Sequence, residues 1–206
     1  MARVLNRNGT LIELAIVTAG VLIALSVDGV RGWMAERSLV AEARANLASE
    51  LRDNKSAVDS FRQTIPTRRN ELDTVGSIAT TRLEGKPWPS GRAELGFTLA
   101  DITAASRSTA EITGAFGLMD YAEVKDYASV YDLQRRFSEL QEETMTLLRS
   151  VLSRLDLIEA PKPSAAELQA WLRDIHTLEA QLLFLDQIGE QLSAGYAKVL
   201  ARIPRS

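Results

Sequence analysis

The chain of 206 residues has no cysteine and a single histidine. The first absence excludes disulfides, thiol nucleophiles and thiolate metal sites. The second excludes a histidine-based metal cluster within one chain. Proline is scarce, at six residues, and Ala, Leu, Glu, Arg and Ser are plentiful, which favours long helices. An excess of one charge is also missing. The 24 basic and 27 acidic side chains are interspersed and leave a net charge of −3. A nucleic-acid binder needs a concentrated basic face, so no nucleic-acid partner is expected. The motifs of common catalysts are missing too: no glycine-rich phosphate loop, no Gly-x-Ser-x-Gly elbow and no zinc-protease helix occurs. We therefore expect no enzyme, no catalytic residue, no metal and no cofactor. His176 reads as a surface or packing histidine, and Glu142-Glu143 as an ordinary solvated helix face.

What the sequence does have is one long apolar run, LIELAIVTAGVLIALSVDGV from Leu11 to Val30. A helix of that length, at about 1.5 Å per residue, just crosses a hydrocarbon core of about 30 Å. Two other readings compete with a span. Arg3 and Arg7 form a basic start, and Ala24-Leu25-Ser26 has the small–x–small form of a signal-peptide cleavage site. Glu13 and Asp28 dilute the run, as in a buried core helix. The helical pattern continues past Ser26 without a break, which favours the uncleaved span. The expected layout is a short cytoplasmic tail over 1–10, a transmembrane helix over 11–30 and one outer domain over 31–206. Arg3 and Arg7 on one side nearly balance Arg31, Arg37 and Arg44 on the other, so the basic residues decide little about orientation. A short tail most simply stays inside, which places the main domain in the periplasm.

Glu13, Val17, Gly20, Ala24, Val27 and Arg31 lie on one helical stripe. Its small middle residues would let another membrane helix approach closely. Asp28, Arg31 and Trp33 mark the outer membrane boundary, with Arg31 as a partner for Asp28 at i+3 and Trp33 as an interfacial anchor. A sharper reading gives Glu13 the proton-handling role of a carboxylate in an ion-driven motor subunit.

Beyond the run the pattern is helical throughout. Val40, Leu47, Asn54 and Phe61 recur every seven residues, with Leu51, Val58 and Ile65 interleaved, which is the seam of a bundle or coiled coil. Asn54 is its polar exception; it either fixes register or faces a gap. Pro66 is expected to kink or restart the helix, and Thr67–Leu83 then follows with Leu72, Val75, Ile78 and Ala79 inward. The stretch EGKPWPSG over 84–91 is the clearest loop, with Trp88 expected to pack over the bundle end. A third helix is expected over Arg92–Thr113, then a turn over Gly114–Gly117. Asp120 with Glu123 has the form of a capping box opening a helix that runs to about Ile158. Val124, Tyr127, Ala128 and Tyr131 line its start, and Leu133, Phe137, Leu140, Thr144, Leu147, Val151 and Ile158 follow. Pro161 and Pro163 break the chain again. Ser164 and Glu167 form a second capping box before a last helix that carries Leu168, Leu172, Ile175, Leu182, Leu185, Leu192, Tyr196 and Val199 to about Ile203. The predicted fold is all-α: a transmembrane helix continuing into an elongated antiparallel bundle of about four or five helices.

The segment Leu-Ile-Glu-Leu-x-Ile-Val-x-x-Gly-Val-Leu-Ile-Ala-Leu from Leu11, followed by Trp33, Arg37, Glu42 and Leu-x-x-Glu-Leu from Leu47, resembles a widespread bacterial family of uncharacterised single-pass membrane proteins. The patch from Thr109 to Met119, followed by a helix with Tyr131 and Gln134, is similar to that family's second recognisable patch. The resemblance implies a placement in the bacterial inner membrane and a helical domain, and it gives Glu13 weight; it implies no activity.

Two binding functions fit these features. In one, the chain is an accessory or scaffold subunit whose span docks on a larger integral membrane complex, or on itself, through the Gly20/Ala24 stripe. In the other, it is an outer ligand-sensing bundle. The expected tail of about ten residues carries no output domain, which favours the first.

Overall fold

The computed structural model describes residues 7–87, 95–158 and 162–203, with the backbone alone for 7–15, 23–25 and 158. All regular structure among the described residues is helical. The elements are α1 (Arg7–Leu83), α2 (Ala105–Ile112), α3 (Tyr121–Leu152) and α4 (Ala165–Arg202), with 3₁₀ turns at Ala115–Leu118 and Leu155–Ile158.

α1 is a single helix of 77 residues, about 115 Å long at about 1.5 Å per residue. Pro66 lies inside it, so the expected break there, and a separate helix over Thr67–Leu83, are corrected. The reason is register. Buried residues step by four and three along Leu47, Leu51, Asn54, Val58, Phe61 and Ile65, and the same repeat resumes beyond the proline at Leu72, Val75 and Ala79. Pro66 itself is exposed. Its missing N–H therefore costs a hydrogen bond on the wet side of the helix, while the packing on both sides of it is unbroken. Gly85, with φ +74°, closes the helix in the left-handed conformation that glycine adopts without steric cost.

α3 and α4 carry the same repeat. In α3 it runs through Tyr127, Val130, Gln134, Phe137, Gln141, Thr144, Leu148 and Val151. In α4 it runs through Leu168, Trp171, Ile175, Leu178, Leu182, Leu185, Gly189, Leu192, Tyr196 and Val199. The three seams meet in a core of two stacked clusters, one centred on Phe61, Phe137 and Tyr196, the other on Val75, Val151 and Trp171. Each fully buried large side chain here contributes about 1.5–3 kcal/mol. Phe61 meets Phe137 edge to face, with ring centroids 6.0 Å apart. At Gly189 the helices pack closely: an added Cβ would lie 3.1 Å from Arg62 Cδ and 3.2 Å from Phe137 Cε2.

The helices are not all antiparallel. Arg44 pairs with Glu123, Glu50 with Tyr131 and Asn54 with Gln134, so partners rise together and α1 runs parallel to α3. Of the long helices, only α4 opposes both. The chain returns from the top of α1 to the base of α3 by an irregular strap, Leu95–Ala104, and then by α2. The expected third helix over Arg92–Thr113 is thus confined to Ala105–Ile112; residues 92–94, like Trp88, lie outside the described residues. Gly96 N–H sits 3.4 Å from Glu71, and Ser106 N–H donates to Glu50. Ten steps of strap therefore descend what twenty-one residues of α1 climb, about 30 Å, which only a nearly extended chain can do.

Four smaller expectations also change. α3 ends at Leu152, not Ile158. Asp120 and Ser164 stand at N-cap positions, but neither side chain makes a capping hydrogen bond; Glu123 is engaged by Arg44 instead. Ala128 is exposed, and Trp171 and Leu178 are core residues that the apolar stripe omitted.

Candidate functional site

Two regions of the fold carry chemistry beyond packing. The first is the lower part of α1. From Ile16 to Ser38 every described side chain is exposed; from Val40 upward the seam is buried. A window at this end has a mean hydropathy of 1.4 and no buried residue, and among the described residues this is the one helix long and apolar enough to cross a membrane. Val17, Gly20 and Val27 are exposed on it, and a Cβ added at Gly20 would meet nothing within 4 Å. The backbone of Glu13 and Ala24 belongs to the same helix, with their side chains outside the described residues. Asp28 and Arg31 are both exposed, and the described ion pairs include none between them. The charged contact in this stretch is Arg37, whose guanidinium lies 4.7 Å from the Trp33 ring centroid.

The second region is a buried polar network where the strap crosses between α1 and α3. Asn54 is 1% exposed. Its Nδ2 donates to Thr103 O at 2.7 Å, and its Oδ1 accepts from Thr103 N–H at 3.0 Å. Gln141 treats Ala100 in the same way, accepting from its N–H at 2.8 Å and donating to its carbonyl at 3.3 Å. Gln134 Nε2 donates to Thr103 O at 2.9 Å, while Gln134 Oε1 accepts from Asn54 and from Tyr196 Oη at 2.9 Å. Each amide offers a donor and an acceptor side by side, as a peptide group does, so these side chains replace the neighbouring strand that an extended backbone otherwise needs. Of the two readings left open for Asn54, the gap is thereby corrected: Asn54 is filled on both its polar atoms.

Glu50 completes the network. It is 6% exposed. One oxygen accepts from Tyr131 Oη at 2.5 Å and the other from Ser106 N–H at 2.7 Å. Burial raises the Tyr131 phenol far above its ordinary value, and its bond to Glu50 adds to the shift. Burial raises Tyr196 as well, helped by the charge of Glu50. These phenols keep their protons at neutral pH and act as donors. The arrangement binds backbone and presents no activated nucleophile.

At the base of the bundle, Arg44 and Glu123 form a paired bond, and Arg202 holds Asp126 at 2.7 Å. Tyr127 lies between them, 1% exposed, with its hydroxyl lacking a hydrogen-bond partner among the described residues. Burial, followed by the charge of Glu123, pushes its phenol up to about 12. An open cleft of about 290 Å³ adjoins it, lined by Asp120, Glu123, Asp126, Val199 and Arg202 among others. His176 is exposed and 3.3 Å from Glu179.

Periodicity marked Asn54 as a polar residue in an apolar seam. It missed Glu50, Gln141 and Tyr196 as members of one network. Gln134 and Gln141 stand seven residues apart in the α3 repeat, and that was the available signal.

No protein-family model matches the chain, and no curated protein or solved structure is detectably similar to it. The functional reading rests on the fold and on these residues.

Proposed function

We propose that this chain is a single-pass accessory or scaffold subunit of the bacterial inner membrane, without catalytic activity of its own. The lower part of α1 crosses the bilayer with its N-terminus inside, and the bundle stands in the periplasm beside a larger integral membrane complex. One observation carries the reading. The same unbroken helix is apolar from Ile16 to Val30 with every described side chain exposed, then becomes the central element of the bundle from Val40. A core helix of this chain would be covered, and this stretch is bare. A helix without a joint also fixes the bundle rigidly to whatever its lower half is packed against. Within the membrane the docking stripe is Glu13, Val17, Gly20, Ala24 and Val27, with Trp33 near the headgroups.

The reading has a direct test. The intact chain stays with membranes through an alkaline carbonate wash, and Gly20→Leu with Ala24→Leu abolishes copurification of a stoichiometric membrane partner in mild detergent. The Gly20 site has free space, so loss of the bundle fold is not the expected cause, and circular dichroism checks this. Release by carbonate overturns the anchor; unchanged copurification overturns the stripe.

The cleft at Tyr127 favours a second reading, a ligand-sensing bundle. It lies at the end of the domain where α1 leaves the core, so a small molecule bound there would bear on the helix that enters the membrane. A chain that purifies alone and gains thermal stability with one defined solute supports this reading over the first.

A further inference from the structure

We propose that the outward face of α4 between Thr177 and Ala197 binds a second copy of this chain, α4 against α4 in parallel. The parallel sense rests on the reading of α1 as a membrane anchor; the surface itself does not.

The midline of this face, Ala180, Phe184, Gln187, Gln191 and Ala194, is unusual for this protein in carrying no charge. Over these 21 positions, about 30 Å of helix, the charged residues are Glu179, Asp186 and Glu190. Glu179 is bonded to His176. Asp186 accepts from Arg62 Nε at 2.7 Å, whereas Glu190, at the edge of the face, is 3.8 Å from the same guanidinium with its side chain 71% exposed. Along and beside the midline stand Ala180, Leu183, Phe184, Gln187, Gln191 and Ala194, all exposed. Leu183 and Phe184 are 48% and 50% exposed, in the middle of the stripe. The outer face of α3 presents Arg135, Arg136, Glu139, Glu142 and Glu143 instead.

The spacing fits a helix partner. Ala180, Phe184, Gln187, Gln191 and Ala194 step by four and three, the same seven-residue repeat that packs the interior. α4 thus has two seams, one used in the bundle and one bare.

The chemistry fits a copy of itself. A two-fold interface sets each patch against its own image, so a charged patch meets like charge and is repelled. An uncharged midline, with Glu190 at its edge, meets little of that penalty. Glutamine is its own complement, because one amide both donates and accepts. If both copies send α1 into one membrane, their two-fold axis runs along the helices. Phe184 then faces Phe184, and Gln187 and Gln191 face their own images, where amide pairs fix register as a buried Asn does in parallel dimers.

The chain has no cysteine, so single cysteines report the interface directly. The full chain is reconstituted in lipid nanodiscs as Gln187→Cys, Gln191→Cys or, as a control on α3, Glu139→Cys. On oxidation the first two are expected to form same-residue disulfide dimers and the third to remain single. Phe184→Glu is expected to keep its helix content and to weaken dimerisation, measured by mass photometry, by about tenfold or more. A wild-type chain that stays monomeric, or a dimer that survives Phe184→Glu without cross-linking at 187 and 191, overturns the surface. Cross-links between Ala180→Cys and Ala194→Cys chains, with none between two copies of either variant, mean an antiparallel pair and overturn the parallel assignment. The anchor reading is scored separately by Val21→Cys. Labelling of that thiol by a membrane-impermeant maleimide removes the anchor, whatever happens at 187.

Discussion

Arg44 holds Glu123 with two parallel hydrogen bonds, from Nε at 2.8 Å and from Nη2 at 2.7 Å. The pair ties the point where α1 leaves the bundle to the first turn of α3, a region sensitive to any load from below. The hydrogen bond to Glu123 raises the Arg44 pKa further above its ordinary value, against the opposing effect of burial. The geometry is the bidentate one that makes arginine–carboxylate pairs strong, and both side chains are mostly covered, at 28% and 14% exposure.

Glu123→Ala is therefore expected to cost about 1–3 kcal/mol, since it leaves a part-buried guanidinium without its partner. Arg44→Met with Glu123→Leu is expected to recover part of that loss. Urea unfolding of Arg44→Met, of Glu123→Leu and of the double variant gives the coupling energy. Additive single effects would show that the pair contributes nothing as a pair.

The strap depends on side chains rather than on a sheet. Asn54→Leu strands the N–H of Thr103 and leaves its C=O to Gln134 alone, and Gln141→Leu strands both the N–H and the C=O of Ala100. Each is expected to cost about 2–4 kcal/mol and to open the strap before the long helices melt. Limited trypsin digestion reads this at Arg107, one turn beyond the anchored residues. Cleavage there that is no faster than in the wild type removes the strap's dependence on these amides.

Much of this fold was legible in the sequence, and the reason is its repeat. A strict seven-residue pattern keeps one face of each helix inward, so the buried residues of α1 from Leu47 to Ala79 and of α4 from Leu168 to Val199 could be read almost directly. The break at Pro66 was misread because a local rule was weighed above a longer one. Ile65 and Leu72 are seven apart across the proline and keep the seam in register, a sign that the helix continues. The strap was not legible. Phe97, Ile102 and their small neighbours have helical composition, and what extends them is Asn54, Gln134 and Gln141, which lie tens of residues away. Direction was also hidden: α3 runs parallel to α1 only because the strap returns the chain to the base, and no residue type signals that. Of the candidate site, the apolar run of α1 was evident from its length, whereas the network around Glu50 needed the third dimension.

Pro66 offers a test of continuity. It lies in the helix, is exposed, and cannot donate to the carbonyl of Arg62. Pro66→Ala is expected to stabilise the chain by about 2 kcal/mol, since the helix regains a donor and loses a ring clash, less the entropy that proline removes from the unfolded chain. A higher melting temperature by circular dichroism is the expected result. A fall would mean that proline shapes a bend the packing requires.

The buried phenols set the alkaline limit of the fold. Tyr127 has a folded pKa of about 12 against an ordinary value of 10. Because the folded value is the higher one, the stability tied to the protonated phenol is fully present below about pH 10 and is lost as pH rises toward 12. Tyr131 and Tyr196 are shifted in the same direction and deepen the loss. Tyr127→Phe removes one of these contributions, and with it about 2–3 kcal/mol of the alkaline fall. At neutral pH that substitution is expected to be neutral or stabilising, because the hydroxyl has no partner to lose among the described residues. Tyr131→Phe is expected to cost about 1.5–3 kcal/mol at the same pH, since it strips Glu50 of a charge-assisted bond. Unfolding free energies of the three proteins between pH 7 and 12 separate these outcomes. Equal stability of the two variants at pH 7, or an alkaline transition in Tyr127→Phe as steep as in the wild type, would contradict the roles given to the two phenols.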